Sequence, residues 1–409
     1  MSPSSSRRVS PIEANPLAAI PLHKNRAGPN GSDGSFVVEP QENRSSPAPV
    51  TTDFCALPDG SLIELVQLQN RAKSELSFLI WNGETVSAVD HFEHDGYLYT
   101  PPVLDQKFSE DLNLRLASGA KACPAPREFF FEVNQLIRSH VDLPEASVCL
   151  VAAFVLSTWF VDNLAVVPYL WICGPPGSGK TTLLRLLHCL CRRAALIAGT
   201  IPSRVYSLPA LLRPTLLLDE LQFNGTQHSH ALESWLRAGN ARGVPVTVGG
   251  QLVDSFGAKV LCSRQSGSDT ALSSRALHIS MVPTPKNLQA LDEETVERIA
   301  NDFQPRLLMF RLQHYREFRP EPLDLSPLSP RMVDLVRALV LPLRDVKEAL
   351  TPVFDALQEQ MYQAAAERAR GSGYHCAILL LSPAGDLGCA CRPGSVPGQR
   401  MPKENRRRG

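Results

Sequence analysis

The residues with the clearest chemistry form one short run near the middle of the chain. They fit the phosphate-binding pattern G-x-x-x-x-G-K-[ST] without a mismatch, and they are Gly174, Pro175, Pro176, Gly177, Ser178, Gly179, Lys180 and Thr181. Loops of this pattern surround phosphate oxygens with backbone N–H groups, and the helix that follows adds the partial positive charge of its N-terminus. The run therefore predicts a site for a nucleoside triphosphate, with ATP as the expected ligand.

The segments on both sides of the loop suit such a site. Residues 167–173 are apolar and predict a buried strand, and residues 182–190 predict a helix. Lys180 is expected to reach the β- and γ-phosphates, and the Thr181 hydroxyl is expected to ligate Mg²⁺. Thr182, which begins the predicted helix, completes the binding set. The alternative is a chance glycine turn, which the flanking strand and helix argue against.

Two adjacent carboxylates form a second candidate group. They follow the apolar residues 214–218, which predict another buried strand. Asp219 is expected to hold Mg²⁺, and Glu220 is expected to be the base that orients or deprotonates the attacking water. The alternative is a strand that merely ends in a solvated acidic turn. The phosphate-binding loop on the same chain favours the catalytic interpretation.

The composition is that of a globular protein without a strong overall charge. The chain has 409 residues, 44% of them hydrophobic and 20% charged, and its formal net charge is zero. Such a balance gives no global attraction to nucleic acid, although a local basic surface stays open. Ten cysteines without a signal peptide indicate a reduced, cytoplasmic chain. The longest apolar stretch, residues 148–161, is too short to span a bilayer, so no membrane partner is expected.

Changes of pattern divide the chain into successive segments. Residues 1–50 are rich in Ser, Pro, Asn and Gly and are predicted to be disordered. Residues 51–102 carry short apolar runs and turn signals at Asn82-Gly83 and Asp95-Gly96, which predict a small β module.

Residues 126–285 predict the P-loop ATPase domain. A helical lead-in is followed by alternating strands and helices, so we expect an α/β fold with a parallel sheet in a three-layer core. Residues 203–213 are among the predicted helices, despite Pro209. Residues 286–370 predict a helical domain with breaks at Pro305, Pro342 and Pro352, and residues 371–409 predict an irregular or disordered tail.

The order of these features resembles the AAA+ class of ATPases. The loop, the acid pair, a hairpin, a strand with a polar end and an Arg before the last strand follow one another over about residues 145–285. More narrowly, the chain resembles superfamily 3 helicases and the primase-helicases of phages and plasmids, in which two acids follow the loop closely. The resemblance implies a P-loop NTPase fold, ATP hydrolysis with Mg²⁺, and action on nucleic acid.

The resemblance also implies roles for single residues. Ser263 stands where the family usually places a polar sensor of the γ-phosphate, commonly Asn, although Ser is shorter. Arg275 stands where AAA+ proteins carry the arginine finger, which stabilises transition-state charge at the neighbouring subunit's phosphates. Arg264 is the competing candidate. A finger at Arg275 implies a homo-oligomer, either a ring or at least a dimer.

Residues 244–253 predict a hairpin at the position where superfamily 3 helicases contact DNA. In those enzymes the tip is typically basic, and phosphate contacts usually need such cations. Here the tip is Gly249-Gly250, and Arg242 and Lys259 stand only at the base. A simple packing hairpin is therefore an open alternative.

The sequence leaves two main functions open. The first is an ATP-hydrolysing AAA+ motor of the mobile-element type that acts on single- or double-stranded DNA. The second is an ATP-gated regulatory module without translocation, in which the β module binds a partner. A small-molecule kinase is disfavoured because the predicted core has no Arg-rich insertion.

Overall fold

A computed structural model of the chain describes residues 48–70, 73–104, 106–199, 201–221, 227–264, 269–318 and 330–371. Residues 1–47 of the segment predicted to be disordered, and the predicted tail beyond Gly371, lie outside the described residues. In these described ranges, no helix is both long and apolar enough to cross a membrane.

The N-terminal part consists of short strands that pair mainly with their neighbours. They are β1 (Ala48–Thr51), β2 (Phe54–Ala56), β3 (Leu62–Asn70), β4 (Lys73–Trp81), β5 (Val86–Val89), β6 (Phe92–His94) and β7 (Tyr97–Thr100). Strands β2 to β5 form an antiparallel sheet in chain order, whereas β7 pairs with β6 and, in parallel, with β1. Both predicted turns are confirmed. At the first turn, Asn82 Oδ1 accepts the Thr85 N–H at 2.8 Å, and Gly83 has a φ of 99°, which glycine adopts readily.

Three helices and a short strand precede the parallel strands of the central sheet. They are α1 (Gln106–Asp111), β8 (Leu114–Arg115), α2 (Pro126–His140) and α3 (Glu145–Thr158). Helix α3 is buried from Val148 to its end, as its uninterrupted apolar sequence predicted.

The central sheet positions the candidate site. The elements of this region are β9 (Tyr169–Cys173), α4 (Lys180–Leu190), β10 (Ala194–Ala198), α5 (Leu208–Leu212), β11 (Thr215–Asp219), α6 (Gln227–Ala238), β12 (Pro245–Val248), β13 (Gln251–Asp254), β14 (Lys259–Ser263), α7 (Thr270–Ser273) and β15 (Ala276–Ser280). The strand order is β15-β9-β14-β11-β10-β8, and only β8 is antiparallel to its neighbour.

Helices cover both faces of this sheet, because its strands are apolar on both sides. In β9, Leu170 and Ile172 belong to the core that includes α3 and α4, whereas Tyr169 and Trp171 belong to the core that includes α5 and α6. The predicted α/β arrangement with a mainly parallel sheet is therefore confirmed. The segment 203–213 differs from the prediction of one helix: a 3₁₀ turn at Ser203–Ser207 precedes α5, because Pro209 has no N–H to continue a helix and is favoured in a first turn.

The hairpin predicted at residues 244–253 is also confirmed, as β12 and β13. Its tip residues Gly249 and Gly250 have φ of 57° and 81°. Two consecutive left-handed residues are typical of the tight turns that match the twist of a hairpin.

Helices follow the sheet: α8 (Glu293–His314), α9 (Pro330–Val340) and α10 (Lys347–Gly371), with a 3₁₀ turn at Leu341–Leu343 that contains Pro342. The prediction that Pro305 and Pro352 break helices is wrong, since both lie inside helices. Pro305 has no N–H to offer the Asn301 carbonyl one turn earlier. Instead, the Lys121 ammonium group donates to that carbonyl at 2.9 Å, which allows α8 to continue.

A buried charge cluster connects the N-terminal strands to the rest of the protein. Its members are Asp53, Glu64, Asp162, Arg192, Arg193 and Arg311, and their side chains are at most 5% exposed. Glu64 is the centre, because its carboxylate accepts from Arg192 and Arg193 at 2.7 Å and from Arg311 at 2.9 Å. Burial alone would raise the pKa of Glu64, but the three guanidinium groups lower it to about 2. No pattern in the sequence predicted this cluster.

Candidate nucleotide-binding site

The predicted phosphate-binding loop lies between β9 and α4, at the edge where the parallel strands end. Strand β9 ends at Cys173 and α4 begins at Lys180. Gly177 and Gly179 have φ of 78° and 88°, values that residues with a Cβ rarely adopt. The chain therefore turns from strand to helix at positions that favour glycine.

Gly174 is needed for a different reason, which is close approach. A Cβ atom at this position would meet the backbone oxygen of Met281 and would lie 2.7 Å from Ser178 Oγ. Met281 directly follows β15, and its N–H donates to the Cys173 carbonyl at 2.7 Å. The segment after β15 thus holds the start of the loop in place.

Two groups of the loop fit a phosphate ligand. Lys180 Nζ donates to the carbonyls of Gly174 at 2.6 Å and Pro175 at 2.8 Å, so the positive charge lies against the loop. Ser178 is 6% exposed, and its hydroxyl has no hydrogen-bond partner in the described part of the chain. Buried hydroxyl groups are normally paired, and a phosphate oxygen would supply an acceptor. The residues present therefore fit a nucleoside triphosphate.

The other residues predicted to bind nucleotide lie beside these groups. Pro175 and Pro176 are exposed in the loop. Thr181 and Thr182 are in the first turn of α4, the former exposed and the latter half-buried. An exposed hydroxyl at this helix N-terminus is accessible to a hydrated cation.

The two predicted acids lie at the same edge of the sheet as the loop. Asp219 is the last residue of β11, and Glu220 follows it exposed, with a φ of 55°. The Glu220 N–H donates to Asp219 Oδ1 at 2.8 Å. Burial and a hydrogen bond with Asp219 raise the pKa of the Cys262 thiol on β14, whereas the Lys180 ammonium group opposes this rise. Both Lys180, at the start of α4, and Asp219, at the end of β11, thus affect the pKa of the Cys262 thiol.

Ser263 lies between the loop and the acids, at the end of β14. Its Cα is paired with that of Cys173, the residue before the loop. Ser263 is 6% exposed, and its hydroxyl oxygen accepts the indole N–H of Trp171 at 2.9 Å. Cys173 Sγ is 3.8 Å from the same oxygen. The predicted sensor is therefore beside the loop, and its hydroxyl oxygen is bound by the indole N–H of Trp171.

Arg275 lies at the opposite edge of the sheet. It directly precedes β15, and its carbonyl accepts the N–H of Tyr169, the first residue of β9. With about 3.3 Å per residue, a strand of this length separates the two edges by about 13 Å. Arg275 therefore lies far from the loop of its own chain. Arg264 differs, because it follows Ser263 at the loop edge and is exposed.

The hairpin β12–β13 lacks the cations expected of a phosphate-binding tip. Residues 244–254 contain neither Lys nor Arg. Lys259 is fully buried, where Nζ donates to the carbonyls of Ser255 and Gly257 at 2.6 and 3.1 Å, and burial lowers its pKa to about 7. The Arg242 guanidinium group donates to the carbonyls of Val161, Asp162 and Leu164. These two cations thus support the base of the hairpin.

Sequence reasoning missed three residues that shape the site: Met281 against Gly174, Cys262 against Asp219, and Trp171 against Ser263. All three contacts join residues that are far apart in the sequence. Only the position of Cys262, one residue before the predicted sensor, offered a signal in the sequence. The other two depend on which strands are neighbours.

No protein-family model matches the chain, and a comparison with curated proteins finds no match. Among solved structures, the chain is similar to the apo C-terminal region of NrS-1, with 13% identity, a TM-score of 0.32 and coverage of 76% of each chain. It is also similar to a full-length MCM homolog from Methanopyrus kandleri, with 13% identity, a TM-score of 0.35 and coverage of 73% of this chain and 76% of the other. Because both TM-scores are below 0.5, neither similarity supports a conclusion about function.

Proposed function

We propose that the chain is an AAA+-like ATPase that hydrolyses ATP and acts on nucleic acid in the manner of a helicase. One observation carries the ATPase part: a phosphate-binding loop with a close-held lysine shares a sheet edge with an acid pair. Strand β14 lies between the loop strand and the acid strand and ends in Ser263. A cation, a polar sensor and two acids along one edge suit attack of water on a terminal phosphate.

The proposed roles follow from position. Lys180 and the loop N–H groups bind the phosphates, and Ser178 donates its unpaired hydroxyl. Thr181 and Asp219 hold Mg²⁺, which when bound neutralises charge on the phosphates. Glu220, exposed beside Asp219, orients the water and accepts its proton.

The first test is steady-state ATPase activity of the whole chain. We expect K180A to lose nucleotide binding or hydrolysis, because the loop then has no ammonium group. The matched control is K347A, since Lys347 is an exposed lysine at the start of α10, and it should keep wild-type activity. Wild-type protein without Lys180-dependent turnover would contradict the proposal.

The proposed finger makes a second test possible, by mixing subunits. Arg275 is about 13 Å from the loop edge along its strand, so it would complete the site of a neighbouring subunit. K180A and R275A should each be inactive, and a mixture should recover part of the activity, because one variant supplies the loop and the other the arginine. The control R298A replaces an exposed arginine of α8 and should be active alone. If R264A rather than R275A abolishes activity, Arg264 is the catalytic arginine.

The second function, an ATP-gated regulatory module without translocation, is favoured by the hairpin. No cation is available at its tip, and those at its base are engaged by carbonyl groups. The effect of single-stranded DNA on the ATPase rate distinguishes the two functions. Stimulation of wild-type but not K180A turnover supports a nucleic-acid motor, whereas Lys180-dependent turnover that DNA leaves unchanged supports the regulatory module.

A further inference from the structure

The side chain of Trp171, on the central sheet, forms a hydrogen bond with the hydroxyl of Ser263. Trp171 is fully buried in β9, and its indole Nε1 donates to Ser263 Oγ at 2.9 Å. The bond crosses diagonally to the neighbouring strand, since the Cα of Trp171 is paired with that of Leu261 and the Cα of Ser263 with that of Cys173. The serine side chain is thereby fixed relative to the strand that leads into the phosphate-binding loop.

The indole ring is itself held from the other side. His278 of β15 is the register partner of Trp171, and the two rings stack with centroids 5.7 Å apart and 21° between their planes. The His278 ring is fixed by Ser273, because its Nε2 lies 3.0 Å from the Ser273 hydroxyl and 3.2 Å from the Ser273 carbonyl. The His278 backbone is held as well: the Gln360 side chain accepts its N–H at 3.0 Å and donates to its carbonyl at 2.7 Å.

Serine is shorter than the asparagine that is common at the sensor position, so the orientation of its hydroxyl matters for any contact with a phosphate. A Ser hydroxyl can rotate about its single χ angle and is both a donor and an acceptor. When Oγ accepts the indole N–H, the hydroxyl still has its own hydrogen to donate. A hydrogen bond accepted by a hydroxyl also strengthens the bond that the hydroxyl donates.

We propose that Trp171 is a positioning residue, whose indole N–H orients Ser263 to donate to the terminal phosphate of the bound nucleotide. The inference rests on the proposed function, because it assigns Ser263 to the same ATP site. Trp171 does not touch the nucleotide and acts only through Ser263.

The test compares W171F, S263A and the double variant by steady-state ATPase kinetics. W171F keeps an aromatic ring for His278 but removes the N–H, so we expect kcat to fall about five-fold, the rate equivalent of one neutral hydrogen bond. The affinity for ADP should stay the same, since ADP lacks the γ-phosphate that Ser263 is proposed to contact. The double variant should be no slower than S263A, because residues that act in series are not additive.

The matched control is W159F. Trp159 is also buried and its Nε1 donates at 2.9 Å, but to the Leu190 carbonyl, on the face of the sheet that carries α3 and α4. Its loss should lower the melting temperature without changing the preference for an ATP analogue over ADP. The inference would be overturned if W171F and W159F changed the preference for an ATP analogue over ADP equally. It would also be overturned if the reductions in kcat caused by W171F and S263A multiplied in the double variant.

A second measurement covers the case in which W171F does not fold. In wild-type protein labelled with 5-fluorotryptophan, the Trp171 resonance should differ between the ADP and the ATP-analogue states, and S263A should abolish this difference. The same resonance in both states would refute the inference. Absence of Lys180-dependent turnover in the wild-type chain would instead refute the proposed function, so the two failures are distinguishable.

Discussion

At the scale of single residues, Gly174 is a position that has no room for a side chain. The Met281 backbone oxygen and Ser178 Oγ occupy the space in which a Cβ atom would stand. Backbone atoms cannot move aside as the end of a flexible side chain can. The glycine is therefore required by a contact from the segment that follows β15, in addition to the proposed nucleotide.

We expect G174A to lower the free energy of unfolding by about 1–3 kcal/mol, the usual cost of overpacking, and to weaken ATP binding because the loop must shift. Denaturant unfolding and nucleotide titration measure the two effects. Gly243 is a useful contrast, since it has open space around it but a φ of 78°, so G243A introduces backbone strain without a clash. Unchanged ATP binding by G174A would show that the loop accommodates the methyl group.

Glu220 permits a second prediction at this scale. Its exposed carboxylate is beside Asp219, so E220Q should keep ATP binding while turnover falls by about 10² or more, the usual contribution of a general base. Nucleotide titration and steady-state kinetics separate binding from hydrolysis. E294Q, at an exposed acid in the first turn of α8, should hydrolyse normally. Wild-type turnover by E220Q would exclude Glu220 as the base.

At the scale of elements, α8 shows how one lysine lets a helix contain a proline. Pro305 leaves the Asn301 carbonyl without its usual partner, and Lys121 donates to it from the chain before α2. The Lys121 N–H also donates to the Pro305 carbonyl, at 3.1 Å. Proline in this helix is thus tolerated because another segment replaces the missing bond.

We expect K121M to lower the free energy of unfolding by about 1 kcal/mol, since one exposed hydrogen bond is lost. In a P305A background, the restored N–H can pair with Asn301, and the same substitution should have little effect. A double-mutant cycle by urea unfolding measures this coupling. Equal losses in both backgrounds would mean that Lys121 stabilises the protein in another way.

Comparing the sequence predictions with the structure shows which elements can be predicted from local sequence. The turns at Asn82-Gly83 and Gly249-Gly250 and the strand, loop and helix around Lys180 are local, because the residues that determine them are adjacent. The parallel pairing of β1 with β7 and the contact of Lys121 with α8 join residues far apart in the chain. Periodicity does not encode such partners, so Pro305 was interpreted as a break.

The candidate site divides in the same way. The loop glycines and the acid pair were predicted because each is a contiguous pattern next to an apolar strand. The bond from Trp171 to Ser263 depends on β9 being next to β14. In the sequence Trp171 is only one apolar residue of a buried strand, so its role could not be predicted.

At the scale of the whole molecule, the buried charge cluster is the dominant electrostatic feature. Glu64 is in contact with three guanidinium groups. Burial alone would raise the pKa of Asp162, but Arg311 and Arg192 hold it well below its usual range. Removing one partner of a buried ion pair leaves an uncompensated charge, which costs about 3–5 kcal/mol.

We therefore expect E64Q to lower the free energy of unfolding by about 3–5 kcal/mol at neutral pH. The folded pKa of about 2 is below the ordinary 4.5, so the stabilisation is complete above pH 4.5 and is lost as the pH falls towards 2. Urea unfolding of wild type and E64Q from pH 7 to pH 3 should show converging stabilities. E297Q, which removes an exposed partner of Arg115, should cost less than about 1 kcal/mol. A constant difference over this range would contradict the assignment.

The cluster also bears on how such a protein can be inherited. Asp53 and Glu64 come from the segment before residue 102, whereas all three arginines come from the segments after residue 126. A recombination event between these segments would leave the three buried guanidinium groups with Asp162 as the only carboxylate of the six-residue cluster. Since domains are stable by only about 5–15 kcal/mol, we expect the two segments to be exchanged between genomes together, as one unit of descent.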